Sequence, residues 1–266
     1  MIYVVPSLKA KEKLQSEGKA WAESQGFTYV LRHQRTIQDL MDEYGEDFLV
    51  YSSRGPQIDR PEGSHFFSLN MAELRIQNLR KGQRDHLLEA LMGRGSSKLP
   101  ITVLDCTCGF GADAAVASFG LPTGSRVDAL EVSPLLEAVT SWGFSHFVHK
   151  KDDVTAALRR ISLRRGDYRD YLLSDEGPVY DVLYFDPMFQ RPVEASCQFQ
   201  PVRAIMEHGG LTRDLIERAL QKARRRVVIK ERDFRQLCRD FPKVTLYGGK
   251  YSRIGYAVLE CDSWKK

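Results

Sequence analysis

Apolar and polar positions divide the chain into three stretches. In the first, MIYVV (1–5) reads as a short strand. Residues 7–25 are polar with apolar positions at Leu8, Leu14, Ala20 and Trp21, which predicts a helix stopped by Gly26. FTYV (27–30) is extended. Thr36 to Tyr44 is a second helix, opened by Thr36 and Asp39 as a capping-box variant. FLVYSS (48–53) is a strand, and RGPQIDRPEG (54–63) reads as a Gly/Pro loop. From His65 to Met92, apolar residues at Leu69, Ala72, Leu74, Ile76 and Leu79, then at Leu87, Leu88 and Leu91, give a helix, a break at Gly82 and another helix. MGRGSSKLP (92–100) is a linker.

Beyond it, strands alternate with helices. ITVLD (101–105) precedes a glycine turn and the small-residue helix ADAAVASFG. RVDALE (126–131) is followed by a helix that Ser133 caps. ISLRRGD (161–167) is strand then turn, and YDVLYFD (180–186) is a strand. Thr212 to Ala223 is a helix, RRVVIK (225–230) a strand, and KVTLY with IGYAVLE an antiparallel hairpin. This order predicts an α/β, Rossmann-like doubly wound sheet, mostly parallel with a C-terminal antiparallel hairpin, plus a small N-terminal α/β subdomain. The expected domains are 1–64 (small N-terminal subdomain), 65–99 (helical connector) and 100–266 (the large sheet).

Composition changes this picture little. The chain has 266 residues, 42% hydrophobic and 28% charged, which excludes a disordered or fibrous protein. No apolar run is long enough to span a membrane, so no membrane association is expected. A short apolar run ahead of the first charges is the reverse of a secretory signal, and the expected compartment is the cytoplasm. The five cysteines are scattered and predict reduced thiols. The net charge of +4 is uneven: residues 1–95 are neutral, 96–190 carry −4 and 191–266 carry +8. A basic last quarter suits a polyanion, although Arg-rich helix faces are also common on ordinary surfaces.

Candidate chemistry gathers at the predicted strand ends. Asp105 leads into C-T-C-G-F-G-A-D, where Gly109 and Gly111 allow tight turning and close approach of a ligand, and a helix N-terminus follows. Glu131, at the second tip, suits a ribose diol. The pattern is not that of a dinucleotide site, because Ala114 stands where a third glycine is required. Gly166 and Asp167 follow the third strand, where an Asp can accept from an adenine amino group. Taken singly, Asp105 and Asp167 also read as helix caps and Glu131 as a solvated strand end. Asp186-Pro187-Met188-Phe189 ends the fourth strand. Acceptors there can orient an exocyclic amine and stabilise charge developing on its nitrogen, while Phe189 stacks on a base. Lys230 and Arg232, at and beyond the fifth strand, are candidates to face phosphate. Arg224, Arg225 and Arg226 read as a solvated helix end. The six histidines show no HxH or HxxxH spacing, and no metal is expected.

The D-P-x-aromatic tip resembles the (D/N)-P-P-(Y/F) motif of amino-group methyltransferases. With LDCTCGFGADAAVASFG, ALE and RRRVVIKERDF, it makes the chain similar to class I S-adenosylmethionine-dependent methyltransferases. More narrowly, it resembles the small-subunit ribosomal RNA guanine-N2 methyltransferase J family and its Gram-positive relatives. The resemblance covers residues 100–266 and, through HFFSLNMAELRI, reaches into 65–92. It implies S-adenosyl-L-methionine as cofactor and S-adenosyl-L-homocysteine as product. It assigns Ala112, Asp113, Glu131, Val132 and Asp186 to the cofactor site, and the wider class pattern adds Asp105, Gly109 and Gly111. The implied partner is nucleic acid, rRNA or a ribosomal particle, and the implied acceptor is guanine N2. Gln190-Arg191-Pro192-Val193-Glu194 departs from the J pattern after Phe189. Other readings are a methyltransferase acting on DNA, protein or a small molecule, and a non-catalytic S-adenosylmethionine- or RNA-binding module. The intact GFGAD and DPMF weigh against the last.

Overall fold

The computed structural model describes residues 1–93, 99–187, 210–248 and 254–264. Their contacts separate into two compact units. The first contains residues 1–68 and 133–147; the second contains 69–132 and the described residues from 148 onward.

The first unit is built on a five-stranded sheet of order β2-β1-β3-β4-β5. Its elements are β1 (Tyr3–Pro6), α1 (Glu12–Ser24), β2 (Thr28–Tyr29), α2 (Ile37–Tyr44), β3 (Phe48–Ser52), β4 (Gly55–Arg60) and β5 (Gly63–Phe66). β1 is parallel to β2 and β3, whereas β3, β4 and β5 are antiparallel in succession. Val5, Leu40, Phe48 and Val50 form a small core. The capping box at α2 is present: the Asp39 amide donates to Thr36 Oγ1 at 3.2 Å, and the Thr36 amide donates to Asp39 Oδ2 at 2.7 Å.

The segment expected as a loop, 54–63, is instead β4 and the turn into β5, so the segment expected to be helical from His65 begins as a strand. All six residues of β4 are buried. The polar ones are satisfied internally: Gln57 Nε2 donates to both Asp59 oxygens at 2.8 and 2.9 Å, and Arg60 Nη1 donates to the Asp59 carbonyl at 2.8 Å. Pro56 pairs with Tyr51 of β3 but lies beyond the last pair with β5, Gln57–Phe66. Its missing N–H therefore leaves the β5 ladder intact. Helix α6 (Pro134–His146) packs on β4, and Ser133 caps it as expected. A Cβ on Gly55 would lie 2.5 Å from the Trp142 ring, so only glycine admits that contact.

The second unit opens with α3 (Asn70–Arg80) and α4 (His86–Met92), separated at Gly82 as the sequence predicts. The large sheet comprises β6 (Thr102–Asp105), β7 (Arg126–Glu131), β8 (Ile161–Arg165), β9 (Val182–Phe185), β10 (Arg226–Glu231), β11 (Thr245–Gly248) and β12 (Gly255–Glu260). Its order is β11-β12-β10-β9-β6-β7-β8. The five strands from β8 to β10 are mutually parallel, and the C-terminal hairpin is antiparallel. Helices α5 (Ala112–Gly120), α7 (Asp152–Leu158), α8 (Tyr168–Leu173), α9 (Arg213–Lys222) and α10 (Arg235–Asp240) complete the unit. The expected Rossmann-like fold is thus the observed one. The Arg224–Arg226 run divides: Arg224 and Arg225 are exposed just beyond α9, as expected of a solvated helix end, with Arg225 Nε 3.2 Å from Asp181, whereas Arg226 opens β10 with its Nε 3.3 Å from Glu260. Among the described residues, no helix is long and apolar enough to cross a membrane.

Candidate active site

The chain leaves β6, crosses through α5 to β7 on one side, and later returns as β9 on the other. The carboxyl ends of β6, β7 and β9 therefore flank a topological switch point, where open α/β sheets take their ligands. Between β6 and α5 the backbone turns left-handed twice, at Gly109 (φ 54°) and Gly111 (φ 75°), a conformation open to glycine at little cost. The Gly109 amide donates to Glu131 Oε2 at 2.8 Å, tying the glycine turn to the tip of β7. Among the described residues, a Cβ at Gly109 would meet nothing nearer than the Thr107 carbonyl at 3.9 Å, so there is room in front of this turn.

At the other side of the switch point lies a buried ionic network. Asp113, in the first turn of α5, accepts from Arg75 Nη1 at 2.5 Å, Lys230 Nζ at 2.8 Å and the Tyr184 hydroxyl at 2.7 Å. Arg75 also donates to both oxygens of Asp85 at 2.8 Å. Lys230 Nζ donates to Asp186 Oδ2 at 2.7 Å. The Asp186 amide donates to Thr107 Oγ1 at 2.7 Å, which fixes the backbone just before Pro187. The charges respond. Burial would raise the Asp113 carboxyl, but Lys230 and Arg75 hold it well below the usual carboxylate range. Burial would lower the Lys230 ammonium, but Asp113 and Asp186 hold it above its ordinary value. At Asp186 burial wins: desolvation, helped by Asp113, pushes the carboxyl up against the pull of Lys230.

The structure therefore gathers Asp113, Asp186 and Lys230 into one cluster, and Gly109, Gly111 and Glu131 into another around the glycine turn. Glu131 is buried, not a solvated strand end. Ala112 and Val132 are half-buried beside their acidic neighbours. Asp105 is 2% exposed and accepts from the Thr107 amide at 3.1 Å; burial pushes its carboxyl well up. Gly166 donates its amide to the Glu131 carbonyl at 3.0 Å. Asp167 caps α8 through the Arg169 amide at 2.8 Å and pairs with the Arg169 side chain, so the cap reading holds for it. Lys230, expected at a phosphate, instead lies between two carboxylates with 14% of its side chain exposed. Arg232 is exposed. Pro187 is half-buried, and Phe189 lies outside the described residues. Sequence reasoning missed Arg75, Asp85 and Tyr184. The available signal was Arg75 itself, a cation in line with Ala72, Ile76 and Leu79 on the inward stripe of α3.

Sheet order, glycine turn and acidic tips define a Rossmann-like domain of the methyltransferase type. The family model described as "Putative SAM-dependent methyltransferase" matches residues 63–254, and the chain belongs to that family. It is 28% identical over 230 residues to an uncharacterized protein, YpiP, of Bacillus subtilis, covering 86% of this chain and 88% of that one. It is 28% identical over 193 residues to the ribosomal RNA small subunit methyltransferase J of Marinobacter nauticus, covering 71% of this chain and 66% of the relative. The crystal structure of a SAM-dependent methyltransferase from Neisseria gonorrhoeae superposes with a TM-score of 0.65 over 99% of both chains at 17% identity, a likeness of fold.

The family's methyl donor is S-adenosylmethionine, and S-adenosylhomocysteine remains after transfer. The open backbone at Gly109, the amides at the start of α5 and the Glu131 carboxylate form a cradle of the right chemistry for a nucleoside with a charged tail. Among the described residues, no group of three or more His, Cys, Asp or Glu is set to hold a metal ion.

Proposed function

We propose that this methyltransferase modifies an exocyclic amino group of a nucleobase, guanine N2 of small-subunit rRNA, in the cytoplasm, on RNA or an assembling ribosomal particle. The observation that carries the reading is Asp186: a half-buried carboxylate just beyond β9, directly before Pro187 and gripped by Lys230 at 2.7 Å. The similarity to the ribosomal RNA small subunit methyltransferase J of Marinobacter nauticus supports the rRNA target.

Bound S-adenosylmethionine would supply an electrophilic methyl group. Glu131, at the tip of β7 and tied to the glycine turn through the Gly109 amide, would hold the ribose hydroxyls. Gly109, Gly111, Ala112 and the α5 amides would line the rest of the cradle, with Val132 and Gly166 beside the nucleoside. Asp105 and Asp113 would act from behind it, through the backbone and the ionic network. Asp186 and the Pro187 carbonyl would accept from the two amine N–H groups and aim the nitrogen lone pair; Phe189 would stack on the base. Lys230 keeps Asp186 in one position. Once methylated, the cationic nitrogen is acidic, and Asp186 or water can take its proton. A paired base must first leave its helix.

The test is mass spectrometry of rRNA and tRNA nucleosides from a deletion strain, with and without the restored gene. Loss of one N2-methylguanosine from small-subunit rRNA is expected. An unchanged rRNA profile sinks the acceptor assignment and directs attention to DNA, protein or a small molecule.

A further inference from the structure

The small unit has a switch point of its own. β1 leads through α1 to β2 on one side, and β2 leads through α2 to β3 on the other, all three strands parallel. The turns beyond their carboxyl ends lie at one level: the Ser7 amide donates to the Tyr51 carbonyl at 2.9 Å, and the Val30 amide donates to the Val4 carbonyl at 2.9 Å. Charge is sorted along this sheet. The carboxyl-edge turns, residues 7–13, 30–36 and 52–55, contain six Lys or Arg and one acid. The amino-edge turns, residues 23–28, 42–47 and 60–63, contain five acids from Glu23 to Asp47 with Glu62 as a sixth, and one Arg.

Some of the basic residues serve the fold. Arg32 is buried and donates to the Arg35 carbonyl, and Arg35 pairs with Glu43. Lys9, Lys11 and Arg54 are exposed. Aromatic surface accompanies them. The close approach at Gly55 sets Trp142 against the turn that carries Arg54, and His146 stacks on Trp142 with centroids 5.1 Å apart and planes 8° from parallel. Exposed cations at one sheet edge, with a half-buried Trp142 and an exposed His146 stacked beside the turn of one of them, are ingredients of a nucleic-acid surface. The cations neutralise phosphates, and the rings offer stacking without sequence preference.

We propose that the carboxyl edge of the small unit, through Lys9, Lys11, Arg54 and the Trp142–His146 stack, binds the phosphate backbone of the RNA substrate. The proposal rests on the RNA reading above. It predicts a division of labour: this edge supplies affinity and salt dependence, and the Asp186 site supplies the chemistry. A single-stranded or looped segment fits best, because its bases can reach the stacked rings.

The experiment uses the full chain and a small-subunit rRNA fragment. Binding is measured by fluorescence anisotropy across a salt series, and S-adenosylmethionine affinity by calorimetry. The triple variant K9A/K11A/R54A should bind RNA at least about tenfold more weakly, with the salt slope reduced by about 2–3, since each lost phosphate contact lowers it by nearly 1. Cofactor affinity should stay unchanged. K9R/K11R/R54K should restore binding, and E23Q, at the opposite edge, should leave RNA binding near wild type. If the triple variant binds RNA with the wild-type slope, the surface is wrong while the RNA reading stands. If wild type binds no RNA but methylates another acceptor, both fall. Loss of cofactor affinity in the triple variant would also overturn the proposal, as a folding defect.

Discussion

The two sheets share a device and use it for different chemistry. Each has a parallel switch point, β2-β1-β3 in the small unit and β7-β6-β9 in the large one. In the large unit the strand tips bear buried acids, Asp105 and Glu131, and Asp186 follows directly on β9, against a glycine turn. In the small unit the corresponding turns bear exposed Lys9, Lys11 and Arg54. Fold gives the crevice; the residues placed at its rim decide what the crevice is for. Acids in such a place need support: Arg75 and Lys230, from a helix and a strand far apart in sequence, hold Asp113, Lys230 also holds Asp186, and backbone amides serve Asp105 and Glu131. Exposed lysines need no such support, and among the described residues none forms a short ion pair with Lys9 or Lys11.

The contrast breaks most readily at Asp113. Replacing it by Ala removes the carboxylate that Arg75 and Lys230 share and leaves each with one acidic partner, Asp85 and Asp186, so the loss approaches but stays below the about 3–5 kcal/mol of breaking a buried pair outright. Asp113→Ala should therefore lower the denaturant midpoint steeply. A variant as stable as wild type would show that the network is incidental. The contribution is also pH-dependent. The Asp113 pKa is depressed by folding, so its stabilisation is present above the unfolded value near 4 and is lost as pH falls below that.

The next effect is catalytic. Asp186→Ala should slow methyl transfer by about 10²–10³, while cofactor affinity stays within about tenfold, or ~1.4 kcal/mol. Asp186→Asn keeps one acceptor and should retain measurable activity. Because the Asp186 carboxyl is pushed up to about 6, wild-type activity should fall as the pH drops through that value and the acceptor gains a proton. The Asn variant should lack this acid limb. Equal activity of wild type, Ala and Asn on an identified nucleobase substrate would move the active site elsewhere.

Much of the large unit was legible because its strands, buried on both faces, are continuous apolar runs that end in functional residues, as in VLYFDP and VVIK. The glycine turn could be read from composition alone, since a left-handed backbone at 109 and 111 calls for glycine. Two things were hidden. β4 carries Gln57, Asp59 and Arg60 inside the protein, so its pattern mimics a polar loop; only tertiary hydrogen bonding makes those residues acceptable in a strand. Lys230 was read as facing phosphate because it ends the fifth strand, on the edge of the sheet where ligands bind. Its true partners, Asp113 and Asp186, are 117 and 44 residues away, and no local pattern reports such distances.

Glu131 tests the cofactor cradle. Glu131→Ala removes the acceptor of the Gly109 amide as well as the proposed ribose ligand, and should weaken S-adenosylmethionine binding by ~2–4 kcal/mol. Calorimetry showing unchanged affinity would dissociate the β7 tip from the cofactor.

The finest comparison uses one substitution in both units. Gly55 and Gly109 each sit at positive φ, 86° and 54°, beside a switch-point turn, so an alanine at either meets a comparable backbone penalty of about 1–2 kcal/mol. What lies in front of them differs. At Gly55 the new methyl would strike the Trp142 ring, whereas at Gly109 it would enter open space. Gly55→Ala should therefore destabilise by more than the backbone penalty alone, because overpacking typically adds about 1–3 kcal/mol, and it should leave cofactor affinity intact. Gly109→Ala should cost only the backbone penalty in stability, yet weaken S-adenosylmethionine, because the methyl occupies space the ligand's approach requires. Thermal unfolding and calorimetry on the same two proteins separate these effects. If Gly109→Ala loses stability but binds the cofactor normally, the glycine serves the turn alone, and the open space before it is not the cradle.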